Sequence, residues 1–210
     1  MELIGLRTRN TFWCLAVATH SWTYLQGVLG RDHFYGKTYK LRMWTDQEIQ
    51  KLILNRHEAT GYSRTFDESV SAYGTGNVLG EKTEVQFFRL LWGQSRGNPR
   101  AALMHWVSAI SEPSSGNIHV GVPQFIESSI VGTMSTEALI LLASIARHDS
   151  LTSHELIRST GLDLLIVRKC LKEAHEKELI WSDTESRIRI SSRAQGAIDY
   201  YLVGKNFLYE

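Results

Sequence analysis

The sequence predicts a mixed, mainly α chain. It would hold a partial α/β piece, a helical segment, and a C-terminal unit of three helices and a β-hairpin. Three observations predict this. A continuous apolar run near the N-terminus is followed by helical and then alternating spacing. Helix-start signatures punctuate the middle. From Ser135 onward, capped amphipathic stretches follow at short intervals and end in two short β-rich runs. With 210 residues, 43% of them hydrophobic, the chain can build one large domain or two small ones.

The run Thr11–Thr19 is apolar without interruption and reads as a strand buried on both faces. His20 and Ser21 lead into a short helix over 22–29, broken at Gly30. Lys37–Trp44 alternates polar and apolar residues and reads as a second strand. Thr45-Asp-Gln-Glu48 is a capping box, in which the Thr hydroxyl and the Glu carboxylate each take a backbone N–H. It opens a helix to about Thr60, stopped at Gly61. Residues 62–80 are Gly/Ser-rich and predict a loop. A further helix is expected over 83–93, burying Val85, Phe88, Leu91 and Trp92. Asn98-Pro99 then starts a helix to about Ile110: Asn suits the N-cap, and the missing N–H of Pro costs nothing at the first position. Asn117–Val122 reads as a short strand.

In the C-terminal part, helices are expected over 136–147, over 153–160 (capped by Thr152 and stopped by Gly161), and from an Asp163 cap to about Lys177. Leu179–Trp181 and Arg187–Ile190 form a hairpin around Ser182–Ser186, and Ser192 starts a final helix. Three helices and a hairpin is the order of a winged helix.

Lys+Arg number 23 and Asp+Glu 22, for a net charge of +1, which excludes a strongly basic nucleic-acid tail and an acidic disordered chain. Two cysteines exclude a disulfide framework and a four-Cys zinc site. Cys14 and Cys170 are expected in the core, as suits a reducing compartment. The eight histidines show no metal spacing, so no metal site is expected; His154 and His175 read as solvated helix residues. No nucleophile elbow occurs. The longest apolar stretch, Ala138–Ala146, is too short to span a bilayer. A cytoplasmic location without membrane contact is expected.

The residues Phe12–Thr19, His20–Leu25, Phe34–Ile49 and Leu91-Trp-Gly-Gln-Ser-Arg-Gly-Asn-Pro-Arg-Ala-Ala-Leu103 together resemble the C-terminal part of an AAA+ P-loop ATPase carrying a winged helix. The resemblance divides the chain into the end of an α/β core (1–44), a helical lid (45–112), a linker with a short strand (113–134) and a winged helix (135–210). It implies that Arg100, at the lid-helix start, senses nucleotide phosphates. His20 and Ser21 would lie at a second phosphate-facing position, and Arg31 would fall where an arginine finger is presented; Arg96 is a weaker neighbour. The glycine loop G-x-x-x-x-G-K-[ST] is missing, so ATP hydrolysis by this chain alone is not expected. ATP and Mg²⁺ are implied only for a longer parent. The implied partners are an N-terminal ATPase half or other subunits. Gly74–Thr83 imitates a phosphate loop, but Glu81 separates Gly80 from Lys82 and the spacing fails.

The alternative is a stand-alone winged-helix DNA-binding regulator. Arg168, Lys169, Lys172, Arg187 and Arg189 are its candidate contacts, to DNA or to a partner. Over 163–178, four cations face four acids, and residues 135–210 hold 10 Lys+Arg against 11 Asp+Glu. DNA affinity rests largely on cations at phosphates, so a protein partner is expected over DNA.

Overall fold

The computed structural model describes residues 14–30, 37–70 and 83–209. It is mainly helical, with two small two-stranded sheets. In chain order the helices are α1 (Thr19–Leu29), α2 (Asp46–Glu58), α3 (Thr83–Ser95), α4 (Pro99–Ala109), α5 (Ser128–Gly132), α6 (Thr136–His148), α7 (Ser153–Thr160), α8 (Leu164–Glu176) and α9 (Gln195–Gly204). The strands are β1 (Ser63–Phe66), β2 (Asn117–Val120), β3 (Ile180–Ser182) and β4 (Ile188–Ile190).

The caps read from sequence form. Thr45 Oγ1 accepts from Glu48 N, and the Glu48 carboxylate accepts from Thr45 N at 2.9 Å. Arg42 donates two hydrogen bonds to the same carboxylate, each 2.6 Å long. These bonds, the Arg42 pair first, hold the Glu48 carboxyl down at about 2. Asn98 Oδ1 accepts from the backbone N–H groups of both Arg100 and Ala101. Asn98→Ala leaves those two donors without their cap and is expected to cost about 1 kcal/mol, seen as a lower urea midpoint.

Two hydrophobic clusters organise the chain. The first joins Ile49 and Ile53 of α2, Phe87, Phe88 and Leu91 of α3, Ala102 and Trp106 of α4, and Val120 of β2. Its centre is aromatic: Phe87 lies 5.3 Å from Phe66, 5.4 Å from Phe88 and 5.7 Å from Trp106, in tilted and edge-on contacts. The buried stripe of α3 is therefore Phe87, Phe88 and Leu91. Val85 and Trp92, expected inside, are partly exposed. Packing of α3 between α2 and α4 sets that rotation, and a helical period alone leaves it free over such an aromatic-rich stretch. The second cluster holds the C-terminal unit, with Leu141, Leu142 and Ile145 of α6, Leu156 of α7, Val167 and Ala174 of α8, and Ile198 and Leu202 of α9. β3 and β4 pair antiparallel, Ile180 opposite Ile190, and Leu151 bridges to Ile188 beside them.

Five expectations are corrected. Cys14–Ala18 carries no strand, Thr19 already begins α1, and Cys14 is exposed. Lys37–Trp44 carries no strand either, and Tyr39, Leu41 and Met43 stand in solvent. Apolar runs and alternation favour strands only where another strand completes the ladder, and no described strand pairs with these segments. Conversely, Ser63–Phe66, expected as loop, is a strand pairing in parallel with Asn117–Val120, Ser63 opposite Asn117. The linker holds an additional short helix, α5. The final helix starts at Gln195, three positions after Ser192. The phosphate-loop imitation at 74–83 and Arg31 lie outside the described residues, except for Thr83.

Candidate functional site

Arg100 sits in the first turn of α4, directly after Pro99. Its side chain is exposed and has no hydrogen bond or ion pair among the described residues. The helix terminus behind it is closed, because Asn98 takes both available N–H groups and Pro99 has none. An anion arriving here meets the guanidinium rather than open backbone donors. The preceding glycine has a definite role. Gly97 has φ +72°, its carbonyl accepts from Trp44 N at 3.3 Å, and a β-carbon there would lie 2.5 Å from the Trp44 carbonyl oxygen. Trp92 Nε1 donates to that same oxygen at 2.8 Å. The Gly-Asn-Pro-Arg segment thus anchors the chain entering α2 while presenting Arg100.

His20 and Ser21, expected at the polar end of a strand, instead occupy the first turn of α1. Their polar atoms engage the C-terminal unit. His20 Nδ1 is 3.0 Å from the Tyr209 carbonyl, His20 Nε2 is 3.9 Å from Asp199, and Ser21 Oγ donates to the Arg147 carbonyl. Arg147 in turn lies over the Tyr24 ring, 5.5 Å from its centre. No hydrogen bond or ion pair joins them to Arg100 among the described residues. α1 has no buried residue and is held by these polar ties.

The same helix that presents Arg100 carries His105 into the joint between the two clusters. His105 is buried, stacks edge-on against Phe125 at 5.0 Å between ring centres, and leaves Nδ1 without a partner. Burial, then the charge of Arg193, lowers its pKa to about 4, against a weaker opposing contact with the Gln124 backbone. Arg193 donates to Gln124 Oε1 and to Glu178, each at 3.3 Å. Beside this, α9 meets the end of α3 so closely that a β-carbon at Gly196 would sit 2.1 Å from the Gln94 carbonyl oxygen. Arg96 (φ +49°) lines an open hollow of about 500 Å³ with Tyr200, Tyr201, Val203, Gly204 and Lys205. Reading the sequence missed His105 and Gly196, although both left signals. His105 belongs to the buried series Ala101, Ala102, His105, Trp106, Ala109, and a glycine inside a helical pattern marks close approach.

The hairpin arginines are internally engaged. Arg187 donates to Ser150 Oγ and to the Ser150 carbonyl, both at 2.9 Å, and lies 3.5 Å from Glu155. Arg189 bonds Asp149 and lies 3.4 Å from Asp183. On α8, Arg168 and Lys169 are exposed without a hydrogen-bonding or ion-pair partner among the described residues, and Lys172 is 3.8 Å from Glu176. Cys170, expected in the core, is buried there, and burial pushes its thiol up.

Among the described residues no group of three or more His, Cys, Asp or Glu could hold a metal ion, and no helix is long and apolar enough to cross a membrane. Compared with protein-family models, with curated proteins and with solved structures, the chain gives no significant match.

Proposed function

We propose that this chain is the nucleotide-sensing lid and interaction module of an AAA+-type ATP-binding protein, with the C-terminal unit a winged helix. It does not hydrolyse ATP alone. One observation supports this reading above the others: α4 presents at its start the Arg100 side chain, unpaired among the described residues, and buries His105 at the joint with the C-terminal unit. A push on Arg100 is thereby a push on the joint. ATP and Mg²⁺ would be held by a phosphate loop and an acidic strand end outside this sequence. What this chain contributes is one guanidinium, suited to phosphate oxygens. The partners in this reading are that ATPase half or other subunits.

The test is a titration of the chain with a non-hydrolysable ATP analogue and Mg²⁺, followed by backbone NMR. Binding is expected to be weak, on the order of 1 mM. Signals at Arg100 and at Gly196 should shift together, and both shifts should vanish in Arg100→Ala. Absence of shifts at millimolar analogue overturns the sensing role. ATP turnover by this chain that is lost in Arg100→Ala overturns the non-hydrolysing role.

A further inference from the structure

We propose that the exposed face of α8 is a docking surface for an acidic amphipathic helix of a protein partner. It rests on reading the C-terminal unit as the interaction part, and it names the partner's chemistry. Over 163–178 the charges cancel in sequence, yet the structure separates them. Asp163 is spent on the helix cap, accepting from Leu165 N at 2.8 Å. Glu173 pairs with Lys177 at 2.8 Å, and Glu178 pairs with Arg193. Asp163 and Glu178 stay exposed but lie beyond the two ends of α8, so the helix itself turns Arg168, Lys169 and Lys172 outward against Glu176, with Lys172 and Glu176 both largely in solvent. Ion pairs so exposed contribute little and exchange readily for a better partner.

The same face carries apolar surface. Leu165, 73% exposed, lies on it, and Leu164 and Ile166, 42% and 40% exposed, flank it on either side. Leu165, Arg168, Lys169 and Lys172 recur at helical i, i+3, i+4 and i+7 spacing, so one aliphatic anchor lies in line with three cations. A helix with leucine-type anchors on one stripe and carboxylates beside it matches both features.

A duplex matches only one. The aliphatic triplet offers no hydrogen-bonding group to a base edge, and Arg187 and Arg189 already hold internal carboxylates. An anionic bilayer matches charge and grease. However, the described stretch of this kind is short, and the hairpin adds Glu185 without any free cation of its own.

The experiment is selection of a displayed random-peptide library on the full chain, with the enriched peptides then measured by fluorescence anisotropy. Enriched sequences are expected to combine Asp/Glu with apolar residues at i, i+3 or i+4 spacing. The triple variant Arg168→Glu, Lys169→Glu, Lys172→Glu should bind them at least about tenfold more weakly. Leu165→Ser should weaken them too. Both variants change exposed side chains, so their urea midpoints should match the wild type. Mixed-sequence duplex DNA and phosphatidylserine vesicles serve as the competing probes. Enrichment without acidic excess, binding indifferent to the triple variant, or tighter binding of duplex or vesicles through these residues overturns the proposal. None of these outcomes touches the Arg100 titration, so the two readings fail separately.

Discussion

Replacing Gly196 by valine is expected to destabilise the chain by about 3 kcal/mol. The reason is the approach of α9 to the end of α3. A β-carbon at position 196 falls 2.1 Å from the Gln94 carbonyl oxygen and 3.3 Å from its carbon. The obstacle is backbone, not the flexible end of a side chain, so relief requires moving one helix away from the other. Helix propensity works in the opposite direction, since glycine is worse than alanine inside a helix by up to about 1 kcal/mol. The overlap exceeds that gain, and Gly196→Ala should therefore also destabilise, though less than valine. Urea denaturation measures both. Hydrogen exchange at Leu91–Ser95 should rise in the variants if the joint opens. A stabilised alanine variant would show that the two helices do not meet this closely.

Acidification should cost the chain on the order of 2 kcal/mol between pH 6.5 and about 4, through His105. In the folded chain its pKa falls to about 4, from an ordinary value of 6.5, because the ring is buried and Arg193 is near. Below pH 6.5 the unfolded chain takes up a proton that the native chain refuses. The stabilising contribution is thus complete above pH 6.5 and is lost as the pH falls toward 4. The carboxylates Glu48, Asp67, Glu155 and Asp183 are all held below their ordinary values, so their contributions fade at lower pH. The ordinary glutamate value of 4.5 means that this fading starts near pH 5.5, so the interval from 6.5 to about 5.5 is where the histidine weighs most against these carboxylates. Unfolding measured across that interval should show a slope in the wild type and a flatter line in His105→Leu, whatever the variant's stability at pH 7. An unchanged slope would remove His105 as the cause.

The candidate site was legible unevenly. Arg100 stands where the Asn98-Pro99 signature put it, because capping is a local interaction over three or four residues. Backbone donors do not help hold an anion there, for the same local reason: the cap that starts the helix consumes them. The apolar run ending at Thr19 predicts a strand whose polar end is His20 and Ser21, whereas both lie in α1. Their actual partners, Tyr209 and Arg147, are more than a hundred residues away in sequence, and no spacing rule reaches that far.

The sequence by itself determined the positions of most helices and the charge total of the C-terminal unit. Thr45 with Glu48, Thr152 with Glu155, and Asp163 each bond within one turn of themselves. Composition needs no folding at all. Tertiary structure alone decided which segments became strands and which charges were left to face solvent. Ser63–Phe66 became a strand because Asn117–Val120 lies beside it, while the more strand-like Lys37–Trp44 found no ladder among the described residues. Arg187 was tied down by Ser150 and Glu155, while Arg168 was left without a hydrogen-bond or ion-pair partner among the described residues. Both outcomes depend on hydrogen-bonding partners distant in the chain, and only folding chooses among such partners.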